Sequence, residues 1–151
     1  MASKLKIRVI DRGANQKIRE MLAAGSDMKP VFATVGRAVR SRIQLCFSLG
    51  VDPWSNPWAS LKHRKGQPLV DTGVLLSSFT YAPDAKGVTI GTNQMPRAAA
   101  HQFGAAIRGG RIPARPFMPI KKGRDVVTLP PDWSAAVTNS LRRYFAAAAK
   151  K

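Results

Sequence analysis

At 151 residues the chain has the length of one domain, enough to bury a core without disulfide or metal staples, and its single cysteine, Cys46, excludes an internal disulfide. The 25 Lys and Arg against 8 Asp and Glu leave a formal charge of +17 and an isoelectric point near 11.3, which calls for an anionic neighbour, either nucleic acid or an acidic protein surface. No run of about 18 apolar residues suggests a membrane span, and the opening MASKLKIRVIDRG lacks the apolar stretch of a secretory signal, so a soluble protein made in the cytoplasm is expected.

Leu5, Ile7 and Val9 alternate with Lys4, Lys6 and Arg8, which predicts a half-buried strand over residues 4–10 near a sheet edge. Asp11 or Asn15 can cap a short helix with Ile18, Met21 and Leu22 on one face and Gly25 at its end. A longer helix starts at Ser26 or Asp27 and tolerates Pro30 in its first turn. It repeats Phe32, Val35, Val39, Ile43 and Cys46 or Phe47 at helical spacing until Gly50 stops it. Arg37, Arg40 and Arg42 on its other face read first as solvated charges and second as a contact surface. Residues 51–70 hold prolines, Trp54, Trp58 and the basic run Lys62, His63, Arg64, Lys65 without periodicity. They predict an ordered loop or flap, anchored by its tryptophans and exposed at its basic end.

Asp71-Thr72-Gly73 offers capping side chains to a short helix at Val74, Leu75 and Leu76. Ser78–Tyr81 and Val88–Ile90 alternate around the turn at 82–87, giving an antiparallel hairpin. Arg97–Phe103 is a helix of small residues ended by Gly104. A basic loop over 105–116 follows, carrying Arg108, Gly109, Gly110, Arg111 and Arg115, and Pro116–Ile120 returns as an edge strand. Pro130-Pro131, with Asp132 as cap, introduces a final helix striped by Trp133, Val137, Leu141 and Tyr144 or Phe145, its end loaded with Arg142, Arg143, Lys150 and Lys151. The expected architecture is a single α+β domain over 1–151. A small antiparallel sheet of about four strands packs against the long helix and the C-terminal helix, with long extended loops.

The scarce acids and histidines do not assemble into a reaction centre, and no HExxH, GxSxG, P-loop, EF-hand or zinc spacing occurs. His101 with Asp71 as its orienter is one conceivable acid–base pair, but a histidine flanked by Ala100 and Gln102 more often packs or lies at an interface. No enzyme, cofactor or metal is expected. Two readings of the basic loop remain open. Arg108, Arg111 and Arg115 contact phosphates without reading sequence, or they fold onto a neighbouring subunit and pair with carboxylates. Arg115, held between Ala114 and Pro116, is the first candidate for a specific contact, and its replacement by alanine is expected to leave the fold intact while blocking assembly.

An ordered series of short segments now stands out: Pro57-Trp58-Ala59-Ser60-Leu61, Leu69-Val70-Asp71-Thr72-Gly73, Val88-Thr89-Ile90-Gly91-Thr92-Asn93, Ala99-Ala100-His101-Gln102-Phe103-Gly104 and Ile112-Pro113-Ala114-Arg115-Pro116-Phe117. By order and spacing the series resembles the phage virion morphogenesis proteins of Mu-like phages, which act in tail completion and head-to-tail joining. The resemblance covers residues 54–120 and departs from the family in a compressed LKHRKGQP segment. It implies a ring-forming subunit, expected as a hexamer, at the neck between capsid and tail, assembled in the host cytoplasm and retained in the virion. Its implied partners are its own copies, other neck and tail proteins, and genomic DNA in the channel, with no catalysis, cofactor or membrane. Contacts between subunits are then expected at Trp54, Trp58, His101, Gln102, Phe103, Arg108, Arg111, Arg115 and Phe117. Contacts with DNA or an acidic partner are expected at Lys62, Arg64, Lys65, Arg108 and Arg111. The competing class is a free basic nucleic-acid-binding protein that contacts phosphates without sequence specificity.

Overall fold

Val31, Val35, Val39, Ile43 and Phe47 recur every fourth residue along helix α2 (Lys29–Leu49), and each is at most 4 % exposed, so one stripe of this helix is the spine of the core. The computed structural model describes residues 12–120 and 128–151; the strand expected at 4–10 lies outside these residues. Asp27 Oδ1 accepts the Lys29 N–H at 3.0 Å at the start of α2, and Gly50, with φ +68°, closes its end by donating to Cys46 O at 2.8 Å. Val31 takes the buried place expected of Phe32, which is half-buried beside it.

Strands β1 (Phe79–Pro83) and β2 (Val88–Thr92) form the expected antiparallel hairpin, with Phe79 opposite Thr92 and Pro83 opposite Val88. Asp84 shapes its turn, accepting the N–H groups of Lys86 at 2.7 Å and Gly87 at 2.8 Å. The hairpin lies on α2, where Gly36 admits the ring of Tyr81: a Cβ on Gly36 would stand 2.7 Å from Tyr81 Cδ2. Helix α5 (Pro131–Ala148) packs on another part of α2 and buries Trp133, Val137 and Leu141. Asp132 sits in its first turn and makes no cap hydrogen bond; Pro130 holds the cap position. Helix α1 (Arg12–Ala23) ends where Gly25 and Ser26 donate back to Leu22 O and Met21 O, and Ile18 and Met21 pack on the core. The single turn α3 (Val74–Ser77) leads into β1.

The α+β class holds, but the strands do not join into one sheet. Among the described residues they make two separate two-stranded sheets, β1–β2 and a second hairpin, β3 (Ala105–Ile107) with β4 (Gly110–Ile112). Pro116–Ile120, expected as an edge strand, is not one. Pro116 and Pro119 have no N–H to give a ladder, and the N–H groups of Phe117 and Met118 donate to a side chain instead, Gln102 Oε1, at 3.0 and 3.1 Å. Phe117 nevertheless enters the core, where Phe47 stacks edge-on or tilted against Trp58, Phe79 and Phe117 at centroid distances of 5.4, 5.7 and 5.5 Å.

Candidate functional site

Three of the short segments singled out in the sequence meet around helix α4 (Arg97–Phe103) and form a clasp. Gln102, 4 % exposed, uses both ends of its amide: Oε1 takes the two N–H groups just named, and Nε2 donates to Met118 O at 2.8 Å and Ile120 O at 3.3 Å. Arg115, 6 % exposed, donates from Nε to Ala59 O at 2.8 Å and from Nη2 to Ser60 O at 3.1 Å, while its N–H donates to His101 O at 2.7 Å. Trp58 Nε1 donates to Pro116 O at 2.7 Å. One glutamine, one arginine and one tryptophan thus tie residues 57–60 and 115–120 to the end of α4.

This placement revises the reading of Arg115. Its guanidinium is committed to the carbonyls of Ala59 and Ser60 in its own chain, so replacing it by alanine removes two hydrogen bonds of the clasp and is expected to loosen the fold. Burial, then repulsion from Arg64, lowers its pKa from the ordinary value. Gln102, Trp58 and Phe117 are likewise buried within the chain. Of the other expected contact residues, His101 and Phe103 are half-buried, whereas Trp54, Lys62, Arg64, Lys65, Arg108 and Arg111 are exposed. Trp54 is presented by a turn in which Asp52 Oδ1 accepts the N–H groups of Trp54 at 2.8 Å and Asn56 at 2.9 Å. Arg64 folds back on its loop, donating to Lys65 O and Gln67 O, and Gln67 Nε2 donates to Phe47 O at the end of α2.

The basic loop is a formed arm. Ile107 pairs with Gly110 and Ala105 with Ile112 across a two-residue turn, Arg108-Gly109, whose glycine has φ +85°. The arm leaves α4 through Gly104, at φ +74°, where a Cβ would meet Ile112 O at 3.1 Å and Ala114 N at 3.2 Å. Its strands pair chiefly with each other, and Ile107 beside the turn is 53 % exposed, flanked by exposed Arg108 and Arg111. Ile107 was missed in the sequence because the segment read as a loop; the signal was there in Ile-Arg-Gly-Gly-Arg-Ile, two short apolar ends around a glycine turn.

Behind the clasp opens a cleft of about 410 Å³ lined by Arg64, Arg97, His101, Arg115 and Asp71 over Leu75. Burial, then repulsion from Arg115 and Arg97, lowers the pKa of His101 from 6.5, and its Nδ1 is buried without a hydrogen-bond partner. Asp71 therefore does not orient His101, and the acid–base pair conceivable from the sequence is not built. Among the described residues no group of His, Cys, Asp or Glu could hold a metal ion, and no helix is long and apolar enough to cross a membrane.

The segments that make the clasp are among those that carried the resemblance, and the comparison with families agrees: the profile of the Phage virion morphogenesis family matches residues 9–129. The chain belongs to that family. It is similar to the Mu-like prophage FluMu G protein 2 of Haemophilus influenzae, 32 % identical over 131 residues that span 85 % of this chain and 86 % of that protein. No solved structure matches it. The match starts at residue 9, well before residue 54, and ends at 129, so helix α2 belongs to the family pattern along with the clasp. Membership makes this a phage virion morphogenesis protein, with its role in the construction of the virus particle.

Proposed function

We propose that this protein is a ring-forming structural subunit at the neck of a tailed phage, acting in tail completion and head-to-tail joining without catalysing a reaction. The observation that carries this reading is the β3–β4 arm. Two strands of three residues are too short to be stable alone, yet the arm is ordered from its base and offers an apolar side chain, Ile107, between two arginines. An apolar anchor rimmed by arginine is the composition of an interface centre, where the aliphatic group is desolvated and the guanidiniums find carboxylates. An arm on one part of the surface that docks elsewhere on the next copy makes a head-to-tail contact, and such contacts close into a ring when the rotation between copies divides a full turn. Exposed Trp54 supplies a second contact, with a further copy or an acidic neck or tail protein. Charge of +17 on one subunit is tolerated better when neighbours or DNA in a channel neutralise it.

The Ile107→Glu variant tests the arm. It should fold with a stability within about 0.5 kcal/mol of the parent, since the residue is exposed. In sedimentation it should fail to form the ring, alone or with neck partners, and in infection it should leave capsids and tails unjoined. Normal rings and infectious particles from this variant would remove the arm from the contact. The isoelectric point near 11.3 favours the second reading, a free nucleic-acid-binding protein; a monomer that holds duplex DNA at nanomolar affinity and never assembles would establish it.

A further inference from the structure

Helices α2 and α5 come together along their buried stripes, but their outer edges do not meet. Ala38 and Ala136 are too small to fill the seam, which opens into a groove of about 660 Å³. Arg37, Arg42 and Arg143 line it, with Ser41, Asn139 and Ser140 between them. No carboxylate lines this groove, and none is paired with these three arginines among the described residues, where the ion pair formed is Lys17 with Glu20 at 3.8 Å. Three guanidiniums converging on one depression repel one another, and an anion seated between them removes that cost.

The rest of the lining says which anion. A protein partner needs an apolar anchor at the centre of its contact; here the ring of Tyr144 is half-buried against the core, and the other apolar side chains are alanines. The Ser41 hydroxyl donates to Arg37 O at 3.0 Å, which leaves the Asn139 amide and the Ser140 hydroxyl beside the arginines to match phosphate oxygens, which take such donors irrespective of the base attached. We propose that the α2–α5 groove is a binding track for the phosphates of a nucleic acid, sequence-independent and of modest affinity, with Arg37, Arg42 and Arg143 as its cationic contacts. The site belongs to each folded subunit and does not depend on ring formation. It is also separate from Lys62, Arg64, Lys65, Arg108 and Arg111, the positions to which the sequence directed attention.

Fluorescence anisotropy with a labelled duplex, read between about 50 and about 200 mM NaCl, tests the proposal. The intact protein should bind with a dissociation constant of about micromolar and a steep salt dependence. The triple variant R37Q/R42Q/R143Q should lower the slope of log K against log salt by about 2.7, three contacts at about 0.9 each. A control triple, K62Q/R64Q/K65Q, removes the same charge from the exposed loop and should lower it by clearly less. Equal losses from the two triples overturn the proposal, because net charge alone then explains the binding. Absence of duplex binding by the intact protein overturns it too, as does displacement of the duplex by polyglutamate at lower charge concentration than by unlabelled DNA, which would make acidic protein the partner. If the groove triple fails to fold by circular dichroism, the single R143Q at an exposed position carries the test, with an expected slope change of about 0.9. Sedimentation of the same samples reads ring formation independently, so loss of the groove site is distinguishable from loss of assembly.

Discussion

Replacing Gln102 by alanine should remove the pin that holds residues 117–120 to α4. The magnitude follows from what each partner is left with. Met118 O keeps a second donor, the Ile120 N–H at 2.8 Å, and is not orphaned. The N–H groups of Phe117 and Met118 lose their acceptor, and both residues are buried, at 1 % and 3 % exposure. Two unsatisfied buried donors at about 1–3 kcal/mol each give about 2–6 kcal/mol; a water entering the vacated space relieves part of this, so a loss of about 3–4 kcal/mol is expected. That is a large fraction of the roughly 5–15 kcal/mol that holds a domain together. Urea unfolding followed by the fluorescence of buried Trp58 and Trp133 should show the midpoint falling by about 2 M. The Gln102→Glu variant sharpens the test: it keeps an acceptor for the two N–H groups but faces an oxygen toward Met118 O and Ile120 O, so it should regain stability at acid pH, where the carboxyl is protonated. A loss below about 1 kcal/mol in Gln102→Ala would refute the view that this amide stands in for a strand partner.

Gly36→Ala should lose about 1–2 kcal/mol by chemical denaturation, because a Cβ 2.7–2.9 Å from three Tyr81 side-chain atoms forces the hairpin off α2, while better helix propensity returns about 1 kcal/mol; a more stable variant would show that the ring moves freely. For His101 the folded state holds the pKa below 6.5, so the unfolded chain binds the proton more tightly between the two values and stability falls as pH drops through and below about 6.5. The melting temperature of His101→Gln should therefore vary less over that window than the parent's, and identical pH profiles would contradict the burial of the ring.

Local periodicity was enough to place α2, α5 and the β1–β2 hairpin, because the alternation of apolar and polar residues is set by each element's own geometry, and α4 was legible from its small residues and its local stop at Gly104. The arm was legible only in part: its glycine turn is visible, but strands this short have no periodicity to read. The clasp was legible as a set of recurring words and not as a structure. Nothing in Arg115 or Gln102 announces that they will be buried, since that depends on carbonyls at Ala59 and Ser60 and N–H groups at Phe117 and Met118, far off along the chain.

The sequence by itself determined the family: an ordered series of segments identifies a phage virion morphogenesis protein. Tertiary structure decided what those segments do. It turned Arg115 inward, made a glutamine serve where prolines prevent a strand, and left Ile107 outside on a formed arm. It also created the α2–α5 groove, whose arginines lie about one hundred residues apart and become neighbours only because two apolar stripes must hide from water against each other. Burial is a property of the partner surface as much as of the residue, and the partner is chosen only when the chain has folded.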